Sequence, residues 1–498
     1  MHGRRVLLHC NAGAEFGMGH LMRTVSIARE AQSRGWSVAI VGDIDDAGAA
    51  VAGRMTDGIE IVASRGPRLA NELGSLARGA DVVHLDSYWD VPPVAPRSGG
   101  IVSNMQDGPY GVRDADLAID ANLGSESSFA HPERSLHHLI GIDLAVVREQ
   151  VLRQRSMPPV RGSRPRVLVV MGGTDPHGLT ARVIRAMHRI PEELQVTVID
   201  PRARPEVLAE AAASPHAVEV RGFVDDLPAL ARLHDLAVTA AGTSVWDFAC
   251  MGVPMALVCA VDNQRAGYRE VVSRGLAVAL GEPPHDDLAE RVGTLAAILS
   301  SGAALDARAE QLMRAVDGRG TWRIVSAWEQ LLDVVPADAP HVGALAVRTA
   351  TPDDASLLFE WRNDPATRLN SRAQGALDWD SHRDWVARSI ADVDRSLLIV
   401  ESGGTALATC RWDRRSESDW EVSITVAPRA RGRGLAASVL ASAESALPAP
   451  APCRMLAVVH ADNAPSLRLF QKAGYLPHLP PDETGFATFA KWRLPSER

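Results

Sequence analysis

Residues 4–35, RRVLLHCNAGAEFGMGHLMRTVSIAREAQSRG, decide the fold of this chain. Arg4 to His9 reads as a short buried strand, and Leu21 to Ser33 carries Leu21, Val25 and Ala28 at helical spacing until Gly35 stops it. Gly17 and Gly19 therefore lie in a strand-to-helix loop. In an open α/β sheet ligands sit at the carboxyl ends of strands, where glycines let backbone N–H groups approach a phosphate or a sugar. His20 stands where the helix opens, and the partial positive charge there disfavours an imidazolium, so the ring is expected to remain neutral and able to accept a proton. For a lone histidine in that place, a cap or packing role is the alternative.

Outward from this stretch the same logic recurs. Val38–Val41, Val82–Leu85, Val167–Met171, Gln195–Ile199, Leu236–Thr239 and Met255–Val258 are strand-like runs alternating with amphipathic helix patterns, which implies parallel sheets. RPRVLVVMGGTDP, residues 164–176, restarts the strand and glycine-loop pattern after the polar, proline-bearing segment 153–165. Two Rossmann-like halves are expected, residues 1–152 and 164–335. Val335 to Gly343 (VPADAPHVG) reads as a linker, and six of the eleven tryptophans follow it, so residues 344–498 are expected to form a separate domain.

A chain of 498 residues is too long for one core, and 46% apolar residues make it globular. A net charge of −9 argues against nucleic acid and anionic membranes as partners, which leaves small molecules. Of 52 basic residues only Lys472 and Lys491 are lysines, which excludes a Walker A lysine or a lysine Schiff base from the first two thirds. Five scattered cysteines without a Cys-x-x-Cys pair point to neither a disulfide framework nor zinc, and His131, His137 and His138 lack metal-ligand spacing. The opening residues hold no signal peptide and no stretch is apolar enough to span a bilayer, so a soluble protein of the reducing cytoplasm is expected.

Two further loops carry chemistry. Gly172-Gly173-Thr174-Asp175 follows an apolar strand, and Ala241-Gly242-Thr243-Ser244 ends another strand and opens the helix Val245–Met251, closed by Gly252 and Pro254. Either loop can be a plain turn. Together, with the His20 loop on the opposite half of a two-Rossmann chain, they favour a nucleotide-sugar cleft.

FGMGHLMR, LDSYWD, DADLAIDANLG, GIDLAVVREQV, MGGTDP, RGFVDDLPAL, AAGTSVWDFACMGVP and DNQRAGY occur in this order. Through them residues 4 to about 280 resemble the UDP-2,4-diacetamido-2,4,6-trideoxy-β-L-altropyranose hydrolases of the pseudaminic acid pathway, relatives of the MurG-type glycosyltransferases with the glycosyltransferase-B fold. The resemblance implies that His20 is the base activating water at the anomeric carbon, with inversion and departure of UDP and without a metal. It implies that Tyr88 stands in the cleft as a catalytic residue, that Asn263 and Gln264 face the sugar, and that Gly173, Thr243 and Ser244 hold phosphates. Phe223 and Val224 fall where backbone groups meet uracil, and Asp247 where a glutamate usually holds the ribose. Gly17, Gly19 and Asn11, in the first loop, are expected to bind the sugar substrate. Asn11 replaces the family's usual aspartate and Ser87 a frequent histidine, which puts the exact sugar in doubt; a glycosyltransferase acting on another acceptor is the alternative.

In the last third, Glu421–Val426 reads as a strand before Ala427-Pro428-Arg429-Ala430-Arg431-Gly432-Arg433-Gly434, a nest of N–H groups and arginines suited to a pyrophosphate, with a helix from Leu435. With VRTATPDDASLLFEWRNDP and HADNAPSLRLFQKAGY, it makes residues 346–493 resemble a Gcn5-related N-acetyltransferase, an α/β fold that uses acetyl-CoA. The resemblance implies that Arg429, Arg431, Gly432, Arg433 and Gly434 hold the CoA pyrophosphate and that Asn463 and Ser466 line the pantetheine. Glu421 is a candidate base for the incoming amine, a solvent-facing strand carboxylate being the alternative. Phe470 replaces the tyrosine that often protonates the CoA thiolate, leaving water, another group or Tyr475 for that task.

Overall fold

Arg5–Cys10 pairs in parallel with Ser37–Gly42 on one side and Val82–Asp86 on the other. Its composition requires this central place: Val6, Leu7, Leu8 and Cys10 are all fully buried, so neither face meets solvent. The computed structural model describes residues 3–13, 16, 18–130, 132, 134–172, 175, 177–334 and 345–495. The chain divides into two units, one of residues 1–135 with 140–325 and the other of residues 136–139 with 326–498. The expected linker 335–343 lies outside the described residues.

In the first unit one parallel sheet runs, in spatial order, Glu60–Ala63, Ser37–Gly42, Arg5–Cys10, Val82–Asp86, Ile101–Gln106 and Leu117–Asp120. A second runs Ala217–Arg221, Gln195–Ile199, Arg166–Val170, Leu236–Ala240, Met255–Val258 and Val278–Ala279. Both thus follow the third-second-first-fourth-fifth-sixth order of the doubly wound fold, in which the strand order reverses between the first and fourth strands and leaves a crevice at their carboxyl ends. The loops after those strands are the His20 loop and the Ser87–Tyr88 turn in one sheet, and the Gly172 loop and the Ala241–Ser244 loop in the other.

The two sheets also repeat a fastening. Asp81 accepts the N–H of Arg5 (2.8 Å) and donates its own N–H to the Arg5 carbonyl; Asp235 does the same to Arg166 (2.8 Å). Each aspartate is buried at the start of the fourth strand and fixes its register against the first. The strand Ile101–Gln106, which no apolar run announces, is paid for by hydrogen bonds: buried Asn104 donates to Gly111 O (2.8 Å) and buried Gln106 to Ala130 O (2.9 Å).

The second unit is a mixed sheet ordered Ala346–Thr349, Arg395–Ser402, Thr405–Arg414, Asp419–Val426, Cys453–His460, Phe486–Arg493 and Leu476–Leu479. Neighbours are antiparallel except Asp419–Val426 with Cys453–His460. Trp361, Trp412 and Trp420, three of the tryptophans that set this part of the sequence apart, are buried in its core. No single helix among the described residues is long and apolar enough to cross a membrane.

Asp235→Ala leaves the Arg166 N–H without its carboxylate. A loss of about 1–3 kcal/mol is expected in urea unfolding, read as a fall in the midpoint at unchanged slope, and Asp81→Ala should behave alike.

Candidate functional site

At the carboxyl ends of the first and fourth strands, Cys10 and Asp86 are register partners. His20, the second residue of the helix Gly19–Ser33, is 8% exposed, and its Nδ1 lies 2.7 Å from Asp86 Oδ1. Arg23, one helical turn on and so on the same face, donates Nε to Asp86 Oδ2 (2.7 Å) and Nη2 to Oδ1 (2.5 Å). Complete burial pushes the Asp86 pKa up, but the Arg23 charge and the hydrogen bonds from Arg23 and His20 outweigh it and hold the carboxyl well below the usual range. An ionised carboxylate only accepts hydrogen bonds. Nδ1 therefore carries the hydrogen toward Asp86, which leaves Nε2 as the ring nitrogen outside that pair; Arg23 Nη2 lies 3.2 Å from Nδ1.

Tyr88 meets His20 edge to face, with centroids 4.5 Å apart at 85°. Its hydroxyl donates to Asp107, and burial together with that bond pushes the phenol pKa up, so Tyr88 stays protonated and positions rather than transfers a proton. Asn122 Nδ2 donates to Asp107 Oδ1 (2.6 Å) and Asp120 Oδ1 (2.8 Å), forming a polar floor behind Tyr88. Sequence reading assigned no role to Asp86, Arg23, Asp107 or Asn122. The signal was present for two: Arg23 follows His20 at helical spacing, and Asp86 closes the strand before Tyr88.

Asn11 was expected to touch the sugar, but it is buried and its Oδ1 accepts the Asp43 N–H (3.1 Å), fastening the loop after the second strand. Gly19 is exposed with no atom within 4 Å of a would-be Cβ, so its surface is open. Gly17 and Gly173 lie outside the described residues. Ser87 is buried, and its hydroxyl meets the backbone of Trp89.

In the second sheet, Asp175 accepts from Leu179 N (2.8 Å) and Thr180 N (3.0 Å) at the start of the helix Leu179–Met187 and from Arg204, and Gly172 has φ 82°. Thr243 caps the helix Ser244–Met251 with Ser244 as its first residue, and both hydroxyls stand at the crevice end of the strand Leu236–Ala240. Gln264 Nε2 lies 3.8 Å from the Cβ position of Gly242, so Gln264 is beside that loop while its Oε1 accepts Ala260 N. Asn263 shares the turn Asp262–Gln264. Phe223 is exposed and Val224 packs on the core, leaving their backbone on the surface loop after Ala217–Arg221. Asp247, expected at the ribose, gives Oδ2 to Arg148 Nη2 (2.7 Å), so one of its oxygens is held by the protein.

In the second unit, Asp419–Val426 pairs with Cys453–His460 only from Asp419↔Arg454 to Val422↔Ala457. Beyond that the strands diverge, and Ser423–Val426 presents backbone groups on that side that an extended ligand can pair with. The divergence opens toward Pro428–Ala430 and Gly432 and Gly434, both in the left-handed region at φ 73° and 71°. There the expectations are corrected in part. Arg431 donates to Asp364 Oδ1 (2.6 Å) and Thr367 Oγ1 (2.6 Å), tying the loop to the helix Pro365–Leu369 instead of facing outward. Arg429 donates to Ala406 O (3.4 Å), and Arg433 is exposed. Asn463 caps its helix by accepting Ser466 N (3.2 Å), which employs both residues in the fold. Glu421 Oε2 accepts Arg415 Nε (2.9 Å), so it is an ion-paired strand carboxylate. Tyr475 is fully buried against Phe470, ring centroids 5.1 Å apart, which removes it as a donor to a thiolate.

Residues 344–476 match the acetyltransferase (GNAT) domain family. An uncharacterised protein of Methanocaldococcus jannaschii is 19% identical over 421 residues, 80% of this chain and 81% of its own. A spore coat polysaccharide biosynthesis protein of Bacillus subtilis is 23% identical over 182 residues, 34% of this chain and 51% of the relative. A UDP-N-acetylglucosamine–N-acetylmuramyl-(pentapeptide) pyrophosphoryl-undecaprenol N-acetylglucosamine transferase of Thiobacillus denitrificans is 32% identical over 173 residues, 33% of this chain and 47% of the relative. The chain spans about half the length of these last two. Among solved structures, MurG of Acinetobacter baumannii superposes at TM-score 0.48 with 16% identity over 66% of this chain and 99% of that one. A Vibrio cholerae spermidine N-acetyltransferase bound to CoA and spermine superposes at 0.27 with 15% identity over 30% and 95%. The chain joins two doubly wound parallel sheets to a C-terminal region whose residues 344–476 match the acetyltransferase (GNAT) domain family.

Two outcomes follow from the buried charges. Asp86→Ala leaves the Arg23 guanidinium, about a quarter exposed, without its partner, and should lower stability in urea by about 3 kcal/mol, the low end for a buried pair. Burial lowers the pKa of His9 and of His84 to about 4. Both rings are then neutral in the fold but protonate in the unfolded chain below pH 6.5, so stability is full above that pH. It should fall by about 1.4 kcal/mol per pH unit for each ring as pH drops toward 4, measured by urea melts across that range.

Proposed function

We propose that this is a bifunctional nucleotide-sugar enzyme. The C-terminal domain N-acetylates the 4-amino group of a UDP-4-amino-4,6-dideoxy sugar with acetyl-CoA, and the N-terminal region hydrolyses UDP-2,4-diacetamido-2,4,6-trideoxy-β-L-altropyranose to the free sugar and UDP. These are consecutive steps toward pseudaminic acid, which gives their union in one chain a rationale.

The observation that carries the reading is the His20–Asp86–Arg23 arrangement at the crevice end of the first sheet. Water donates a proton to His20 Nε2 as its oxygen bonds to the anomeric carbon, the bond from that carbon to the UDP oxygen breaks, and UDP departs with the electron pair. Asp86 stabilises the imidazolium that forms, and Arg23 keeps Asp86 ionised. A positioned base contributes roughly 100-fold to 10,000-fold. Thr243, Ser244 and Gly172, at the crevice end of the other sheet, and Gly173 next to Gly172 in sequence are the groups proposed to hold the diphosphate, where donors aimed at developing charge act most strongly. Asn263 and Gln264 are assigned to the sugar, the backbone at Phe223 and Val224 to uracil, and Asp247 to the ribose through the oxygen that Arg148 does not take.

In the acetyltransferase domain, acetyl-CoA supplies the acyl group. The divergent strand Ser423–Val426 is proposed to pair with its pantetheine amides, and Gly432, Arg433 and Gly434 with its pyrophosphate, Arg431 keeping the loop in shape. Glu421 receives the amine proton, through water where Arg415 shields it. A second reading, transfer of the sugar to another acceptor, is favoured by the Thiobacillus denitrificans relative, which is a transferase.

UDP release from UDP-4-amino-4,6-dideoxy-N-acetyl-β-L-altrosamine should require acetyl-CoA and should fall at least 100-fold in His20→Ala. CoA formation without UDP release would leave only the acetyltransferase standing, and release on adding a sugar acceptor would establish the transfer reading. Arg433→Ala should raise the KM for acetyl-CoA about tenfold, the equivalent of 1.4 kcal/mol, without change in melting temperature. Arg431→Ala should lower the melting temperature.

A further inference from the structure

Four aromatic side chains gather beside His20. Tyr88, Trp89 and Tyr110 are 43%, 42% and 64% exposed. Phe16 meets Trp89 edge to face at 4.7 Å, and Tyr88 lies 6.1 Å from Trp89 and 5.7 Å from Tyr110, centroid to centroid. They come from the loops after the first, fourth and fifth strands, all at the crevice end of one sheet. Exposed aromatic clusters are uncommon on a monomer surface and mark binding sites. This one is held in place: Arg113 donates to Ser87 O (2.9 Å), Gly111 O (3.0 Å) and Trp89 O, locking the turn that carries Trp89 to the turn that carries Tyr110. Along one side runs the polar floor of Asp107 and Asn122.

We propose that Trp89 and Tyr110, with Phe16 bracing Trp89, form the platform on which the sugar ring of the nucleotide sugar stacks. The proposal rests on the nucleotide-sugar reading and deepens it. The C–H groups of a pyranose carry partial positive charge and meet the negative face of an aromatic ring favourably, so one face of the sugar lies on the platform. Its hydroxyl or amide N–H donors then turn toward the Asp107 carboxylate, which accepts only. Because the Tyr88 ring touches both His20 and the platform, a sugar seated there has its anomeric carbon on the His20 side. The arrangement favours sugars with an enlarged apolar face, of which 6-deoxy sugars are the clearest case, since a hydroxyl pressed against a ring loses its hydrogen bonds to water.

Saturation-transfer NMR tests this on the full chain with three probes: UDP, UDP-N-acetylglucosamine and UDP-2,4-diacetamido-2,4,6-trideoxy-β-L-altropyranose. In the unmodified protein the sugar protons of the deoxy compound should receive saturation comparable to its uridine protons. In Trp89→Ala and in Tyr110→Ala the sugar-proton signal should fall at least threefold while the uridine signal stays, and the KM of the deoxy sugar should rise about tenfold with kcat within threefold. Tyr110 is the more exposed of the two, so its variant guards against loss of fold. Sugar-proton saturation unchanged in both variants, or transfer to uridine alone in the unmodified protein, overturns the platform while leaving the nucleotide site intact. Silence of uridine and sugar protons together overturns both readings.

Discussion

One buried carboxylate organises the first half of this molecule. Asp86 closes the fourth strand with no exposure to solvent and is kept charged by Arg23 and His20, both from the helix that follows the first strand. A buried charge left alone is untenable, so the helix is obliged to start where both side chains reach the strand end. That obligation fixes the mouth of the crevice, the tautomer of His20 and the place of Tyr88 at once. The nearby buried histidines behave differently: His9 and His84 bind Val41 O and Ser103 Oγ, and burial keeps them neutral, so they serve packing and not charge.

The second sheet repeats the scaffold without repeating the chemistry. Asp235 fastens its first and fourth strands as Asp81 does in the first sheet, and both switch points end in glycine-bearing loops. Here, however, the groups at the helix starts are the Asp175 carboxylate, which accepts the Leu179 N–H, and Thr243, exposed at an N-cap position. One scaffold thus presents an imidazole at one crevice end and hydroxyls at the other, which is the division of labour that the proposed cleavage of a sugar–phosphate bond would use.

Much of the fold was legible from sequence because buried parallel strands announce themselves as apolar runs. Gln195–Ile199 and Met255–Val258 have the expected bounds, and Arg5–Cys10 and Arg166–Val170 differ by a residue at their ends. Ile101–Gln106 was not legible, since buried Ser103, Asn104 and Gln106 interrupt its apolar run, and the hydrogen bonds they make to distant residues leave no local pattern. The candidate site was legible where a motif carries its own geometry, as around His20, and not where a long-range partner decides. Arg431 was read as a phosphate ligand, yet Asp364, far away in sequence, holds it inward. Asn11 binds the backbone at Asp43, and Tyr475 lies in the core. A sequence shows which groups are present but not which neighbours have already taken them.

The central claim is that His20, aligned by Asp86, delivers water to the anomeric carbon. Turnover in water enriched in oxygen-18, followed by mass analysis of both products and NMR of the sugar before it mutarotates, tests it most directly. The account predicts the label at the anomeric hydroxyl of a sugar whose configuration is opposite to that of the substrate, with none in UDP. Label in the UDP phosphate, or retained configuration at the anomeric carbon, would contradict it.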